Sequence, residues 1–309
     1  MQSPSLAWAA DNRPGTLGFA ATTPATTTST AAQSATPKAT GTKQAAITRF
    51  ITAYHDHPAV RQGRMVVVSL FDNDGTALEP WLGKGYTCVA YQHSDKPREH
   101  RVRTYSGGSV HVCDLTKPET LFAIDARHEE LGVAFACAMP PSKDLSVAGA
   151  RHWKRKRDQD PEFQEKAASL VALIERLFLQ WDCPYYISNP ATSQLGKLLR
   201  APNHTYQPYV FGGWLAPTDT HPLYPESIPP QDAYTQHQGL WTGGGFRMPV
   251  PKPVAPTWKY FVSKQRRSGA RTGLRRMSPV LYSNWSARGA RACTPRGFAR
   301  ALCERLLSV

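Results

Sequence analysis

The stretch VAFACAMPPSKDLSVAGA, Val133 to Ala150, decides how the rest of the chain is read. It opens with an apolar run of strand length and stops abruptly at Pro140-Pro141, which have no N–H for a ladder and hold φ near one value. The chain therefore leaves a sheet in a stiff turn and presents Ser142, Lys143 and Asp144 at its mouth. In a parallel sheet this carboxyl end of the strands is where ligands bind.

Working outward, RMVVVSLFDNDGT is a β-branched run feeding a Gly-containing turn, followed by a helical ALEPWLGKGY. TCVAYQ, SVHVCDL and a helix around Pro118 to Leu131 lead up to the strand at Val133. Alternation of this kind predicts an α/β fold, a parallel Rossmann-like sheet with helices on both faces. The clearest helix spans Pro161 to Trp181, with Phe163, Ala167, Leu170, Val171, Ile174, Leu177 and Phe178 on one face and Pro161 in the first turn. CPYYISNP reads as a further buried strand ending in a turn.

Five segments are expected. Residues 1–42 are an Ala/Thr/Ser/Pro-rich disordered tail, and 43–64 a short amphipathic helix and linker with Ile47, Phe50, Ile51 and Tyr54 at helical spacing. Residues 65–189 form the main domain and 190–256, rich in Pro, Gly, Tyr and Trp, a small loop-rich lobe. Residues 257–309 are a basic segment closed by a helix from Pro295 to Leu307, and hold twelve Lys or Arg against one acid, Glu304.

The chain of 309 residues carries a formal net charge of +14, as expected of a protein that meets a polyanion, with nucleic acid the first choice and an anionic membrane surface the second. No apolar run approaches the roughly 18 to 20 residues that cross a bilayer. Six cysteines fall singly, with neither Cys-x-x-Cys nor Cys/His metal spacing, so buried reduced thiols are expected and no metal. The expectation is a soluble, cytoplasmic monomer with DNA as partner.

FDNDGT has two readings. As a haloacid-dehalogenase-type phosphatase signature it makes Asp72 a nucleophile and Asp74 a general acid and base, but the later acidic pair that holds Mg²⁺ is missing. As a nucleoside-cofactor turn it lets the backbone near Phe71 and Gly75 approach a ligand. The succession of Asp72, Asp114, Pro140-Pro141 and Asn189-Pro190 at strand ends follows the order of an adenosylmethionine-dependent methyltransferase.

From about Met65 to Leu306 the chain resembles the cytosine-5 DNA methyltransferases, in particular the short bacteriophage and prophage type. The resemblance rests on SLFDNDGTALEPWL, AMPPSKDLSVAGARHWKRKRDQDPEFQEKA, YYISNP, HPLYPESIPPQDAYT, LWTGGGF and TPRGFARA, in that order. It implies S-adenosylmethionine as cofactor, held by Phe71 against the adenine, by Asp72, Gly75 and Thr76 at the turn, and by Asp114 at the adenine amino group. Pro140 and Pro141 shape the loop beneath a flipped base, and residues 190–256 resemble a target-recognition lobe. The basic run Arg151, His152, Lys154, Arg155, Lys156 and Arg157, with Trp153 interleaved, falls where phosphates beside that base would lie. If the gene is carried by a phage, the compartment is the bacterial host cytoplasm.

Four features depart from the family. Ser142 stands in place of the nucleophilic cysteine, and Ser188 in place of the glutamate that pairs with the cytosine ring, while Asn189 keeps its match. TQHQGLW lacks the basic residues expected before LWTG, and the ribose-binding acid after the second strand has only Asp95 as a candidate. A thiol near pKa 8.5 supplies thiolate at neutral pH, whereas an alkyl hydroxyl needs a positioned base. The expectation is a DNA-binding pseudoenzyme with impaired or lost methyl transfer. The alternatives are an active transferase on cytosine or another base, and the phosphatase.

Overall fold

The first strand, β1 (Val66–Leu70), is buried at every residue because both of its faces are covered. The computed structural model describes residues 66–72, 75–94, 101–105, 108–129, 132–263, 273–282 and 288–308. The expected N-terminal tail and short helix, together with Asn73, Asp74, Asp95 and most of the basic stretch between Lys264 and Gly273, lie outside these residues.

Beside β1 run β2 (Thr87–His93), β3 (Arg101–Tyr105), β4 (Gly108–Cys113), β5 (Val133–Ala138), β6 (Tyr185–Pro190), β7 (His204–Tyr206) and β8 (Gln238–Gly243). They make one eight-stranded sheet in the order β3-β4-β2-β1-β5-β6-β8-β7. The pairs β4–β2, β2–β1, β1–β5 and β5–β6 are parallel. The edges are antiparallel, β3 on β4 at one side and β8 on both β6 and β7 at the other. The architecture is thus α/β with a mostly parallel sheet, compatible with a Rossmann-like fold. The order reverses between β1 and β5, the switch point at which such sheets open a crevice.

Period-two alternation sorts the side chains into two layers. Val66, Val68, Leu70, Tyr91, Ala136, Tyr185 and Ile187 join one core with α2 (Pro118–Glu129) and α4 (Phe163–Gln180). Ala168, Val171, Ile174, Leu177 and Phe178 are the buried stripe of α4, and each large member contributes roughly 1.5–3 kcal/mol by leaving water. On the other face Trp81, from the short α1 (Glu79–Leu82), stacks on Phe135 at 5.1 Å. There Tyr186 meets Phe298 edge-on at 5.6 Å, which seats the C-terminal helix α8 (Arg296–Leu307) against the sheet; the short helices α5 (Leu195–Leu198), α6 (Pro279–Tyr282) and α7 (Arg288–Ala292) precede it in the chain.

Residues 190–256, expected as a lobe, supply β7 and β8 to the same sheet, and the described residues belong to one compact unit. LWTGGGF is the reason. Trp241 is buried and donates to the Arg200 carbonyl at 2.8 Å, while Gly243 lies where a Cβ would strike the Tyr185 ring at 2.5 Å. Between these strands the chain is loops and 3-10 turns, as the composition indicates. All six cysteines are buried and outside any disulfide, and burial raises the thiol pKa of Cys88, Cys137 and Cys183.

Candidate functional site

Two chain segments emerge side by side at the switch point. The turn after β1 and the turn after β5 are joined where Met139 N donates to the Leu70 carbonyl at 3.0 Å. Phe71 is held at φ 59°, an uncommon conformation for a bulky residue, and Gly75 follows at φ 74°. Asp72 holds this turn from within. It is 2% exposed, its Oδ2 accepting from Ser69 Oγ at 2.9 Å and its Oδ1 from Gly75 N at 2.7 Å. With one donor on each oxygen, Asp72 holds the turn in shape. Thr76 is buried behind it.

Phe71 is 3% exposed, its ring 5.5 Å from that of His93 at the end of β2. Beside His93 lies Asp114, directly after β4. Burial acts to raise the Asp114 pKa, but the Thr116 hydroxyl at 2.6 Å and amide at 3.1 Å outweigh it and leave the carboxyl below its ordinary range. His93 Nδ1 approaches the same Oδ1 at 3.7 Å, so Oδ2 is the atom left to an outside donor such as an adenine amino group. Asp114 thus offers an acceptor of the kind a nucleobase amino group needs, whereas Phe71, 3% exposed beside His93, presents no open ring face in this structure.

After β5, Pro140 is buried and its carbonyl accepts from Asn189 Nδ2 at 3.2 Å, which brings the ends of β5 and β6 together. Asn189 Oδ1 is buried without a hydrogen-bond partner among the described residues. Ser142 and Ser188 are half-buried on this rim. The Ser142 carbonyl accepts from Leu145 N at 3.1 Å and Ser146 N at 2.8 Å, closing the loop into a tight turn. Among the described residues no base is bonded to the Ser142 hydroxyl. Asp144 pairs with Lys156, and His152 Nε2 accepts from Arg151 Nε at 3.0 Å.

The basic run follows at once, in a 3-10 turn and then α3 (Trp153–Gln159). Arg151, His152, Lys154, Arg155 and Arg157 are exposed, a solvated cationic face beside the Ser142 turn. Lys156 is different. It turns inward to Asp144, whose backbone carbonyl also accepts from Gln164 Nε2 at 3.0 Å, so Lys156 anchors the turn instead of lining the face.

A further cluster escaped the sequence reading. Arg296, in TPRGFARA, binds Glu79 of α1 through two contacts of 2.9 Å and also grips Asp219. Next to it Asp232, 3% exposed, accepts from Gly297 N at 2.8 Å. This knot ties α8, the 190–256 segment and the helix behind the Phe71 turn. The only sequence signal was the presence of Arg296 and Asp232 within two of the distinctive motifs.

No three His, Cys, Asp or Glu side chains among the described residues group as metal ligands, and no described helix is long and apolar enough to cross a membrane. The sheet defines an α/β protein in which the turns after β1 and β5 meet at the switch point. Comparison with protein-family models finds no match, and comparison with curated proteins finds none.

Proposed function

We propose that the chain is a DNA-binding relative of the cytosine-5 DNA methyltransferases that holds S-adenosylmethionine at the switch point and has impaired or lost methyl transfer. The single observation that carries this reading is the pairing of the Pro140-Ser142 turn with Ser188-Asn189 through the 3.2 Å Asn189–Pro140 bond. It sets two hydroxyls on the rim where the resemblance calls for a thiolate and a carboxyl group. The strand order, with β8 reversed between β6 and β7, is compatible with the methyltransferase sheet that the resemblance implies.

Asp72 keeps the first turn in shape, Asp114 Oδ2 accepts from the adenine, and Asn189 locks the two rims together. The cofactor, when bound, supplies the methyl group. Ser142 lacks the base that would deprotonate it, and Ser188 lacks the proton that a glutamic acid would give to the base ring; such general-acid contributions are typically 10²- to 10⁴-fold. Exposed Arg151, Lys154, Arg155 and Arg157 hold phosphates beside the rim.

The test is transfer of a labelled methyl group to unmodified DNA, with cofactor binding measured by calorimetry. The unaltered protein binds S-adenosylmethionine and transfers little or nothing, and Ser142→Cys combined with Ser188→Glu restores cytosine methylation. Undiminished cytosine methylation by Ser142→Ala refutes the placement of the site. Absence of cofactor binding in both the unaltered chain and His93→Ala refutes the cofactor assignment.

A further inference from the structure

Outside the main sheet stands a two-stranded antiparallel ribbon, β9 (Lys259–Ser263) and β10 (Gly273–Met277). Its register sets Val262 opposite Leu274 and Tyr260 opposite Arg276. Side chains of directly opposed residues share a face, and alternate pairs return to it. One face thus carries Tyr260, Val262, Leu274 and Arg276, and the other Lys259, Phe261, Arg275 and Met277.

The first face is open along its length. Tyr260 is 61% exposed, Val262 64% and Leu274 72%, and Arg276 is exposed with its guanidinium 4.5 Å over the Trp258 ring. The second face holds the half-buried Phe261 and Met277, so it is the side turned toward the protein. Lys259 and Arg275 are exposed at its margins. The surrounding sequence offers these cations no counter-charge, because the one acid between residues 257 and 309, Glu304, lies on α8 and pairs with Lys84 at 2.9 Å.

We propose that the β9–β10 ribbon is an arm that enters the major groove of duplex DNA. The inference rests on the DNA-binding reading above and adds a second contact surface to it. Charge complementarity selects the occupant. Arg276 on the outward face and Lys259 and Arg275 at the ribbon's margins, with no acid of their own segment beside them, suit a polyanion, and strands about 4.8 Å apart form a ribbon narrow enough for a groove about 12 Å wide. Such a groove also presents acceptors to arginine and thymine methyl groups to Val262 and Leu274. An acidic protein would match the charge but not the slender shape, and an anionic membrane is left as an outcome of the test.

The experiment follows fluorescence anisotropy of a labelled mixed-sequence duplex of about thirty base pairs with the full chain, between 50 and 200 mM salt. Arg275→Gln with Arg276→Gln lowers the slope of log affinity against log salt by about two, so the affinity lost across that range is about tenfold smaller than for the unaltered protein. Val262→Ser with Leu274→Ser, both at exposed positions, keeps the slope and weakens binding by about tenfold. Circular dichroism confirms that both variants are folded.

If both variants bind as the unaltered protein does, while Lys154→Gln with Arg155→Gln weakens binding, the ribbon assignment is overturned and the DNA-binding reading survives. If the unaltered chain binds no duplex at all, both fall. Cosedimentation with phosphatidylserine vesicles that is lost in Val262→Ser with Leu274→Ser, without duplex binding, overturns the arm in favour of a membrane contact.

Discussion

Replacing Asp232 by asparagine tests the knot that joins α8 to the rest of the chain, because its energetics turn on opposing effects. Burial raises the Asp232 pKa from 3.8 to about 6, against the Gly297 N–H at 2.8 Å and the nearby Arg296 guanidinium, both of which favour the carboxylate. Burial prevails because Arg296 is already committed to Glu79 and Asp219, and Asp219 adds its own repulsion. The folded state therefore binds this proton more tightly than the unfolded chain does. Its contribution to stability is fully present below pH 3.8 and is lost as pH rises through about 6. At roughly 1.4 kcal/mol for each tenfold change in proton affinity, the loss is about 3 kcal/mol. The Asp232→Asn variant has no such titration, while its amide oxygen can still accept from Gly297. Urea unfolding of both proteins at intervals from about pH 4.5 to 7.5 isolates the effect in the difference between them. Across that range the unaltered protein should lose about 2 kcal/mol of stability relative to Asp232→Asn as pH rises, the remainder of the effect lying below pH 4.5. A difference that runs the other way, with the unaltered protein gaining, would show that Arg296 and the Gly297 amide outweigh burial and that the reasoning is wrong.

Three more substitutions probe the packing of the sheet and the cationic turn. Gly244→Ala drives a Cβ into the Cys183 carbonyl at a residue with φ 59°, so it should destabilise the chain by more than about 2 kcal/mol in urea unfolding. Lys156→Gln should leave the salt slope of DNA binding unchanged yet speed proteolysis within the Ser142–Ser146 turn, whereas Arg155→Gln should lower the slope by about one and leave proteolysis alone. Equal slope changes for the two would mean that Lys156 lies on the cationic face after all.

How far the structure was legible differs by element. Continuous apolar runs can only be buried strands when they are short and bounded by turn formers, so β1, β5 and β6 stand where their residues place them. The 3.6 periodicity of Phe163 to Phe178 likewise predicts α4 within a few residues of its ends. Pro140-Pro141 marks the exit from β5, which puts Ser142 on a rim from local stereochemistry alone. The net charge, too, is a property of composition and needs no coordinates.

Tertiary structure alone decided the rest, because these features depend on partners remote in the chain. Whether Gln238–Gly243 is loop or strand turns on the free edge that β6 offers it, and no local pattern reports that edge. Asp72 matches a nucleophile by motif, yet Ser69 and the Gly75 amide make it a buried turn former. Lys156 belongs to the cationic run by sequence and to Asp144 by geometry, since one helical turn directs successive side chains to different sides. Arg296 and Glu79 are 217 residues apart and meet only because α1 and α8 cover the same face of the sheet. Local stereochemistry sets which segments are strands and where they end; long-range packing sets which of their polar groups remain free to act.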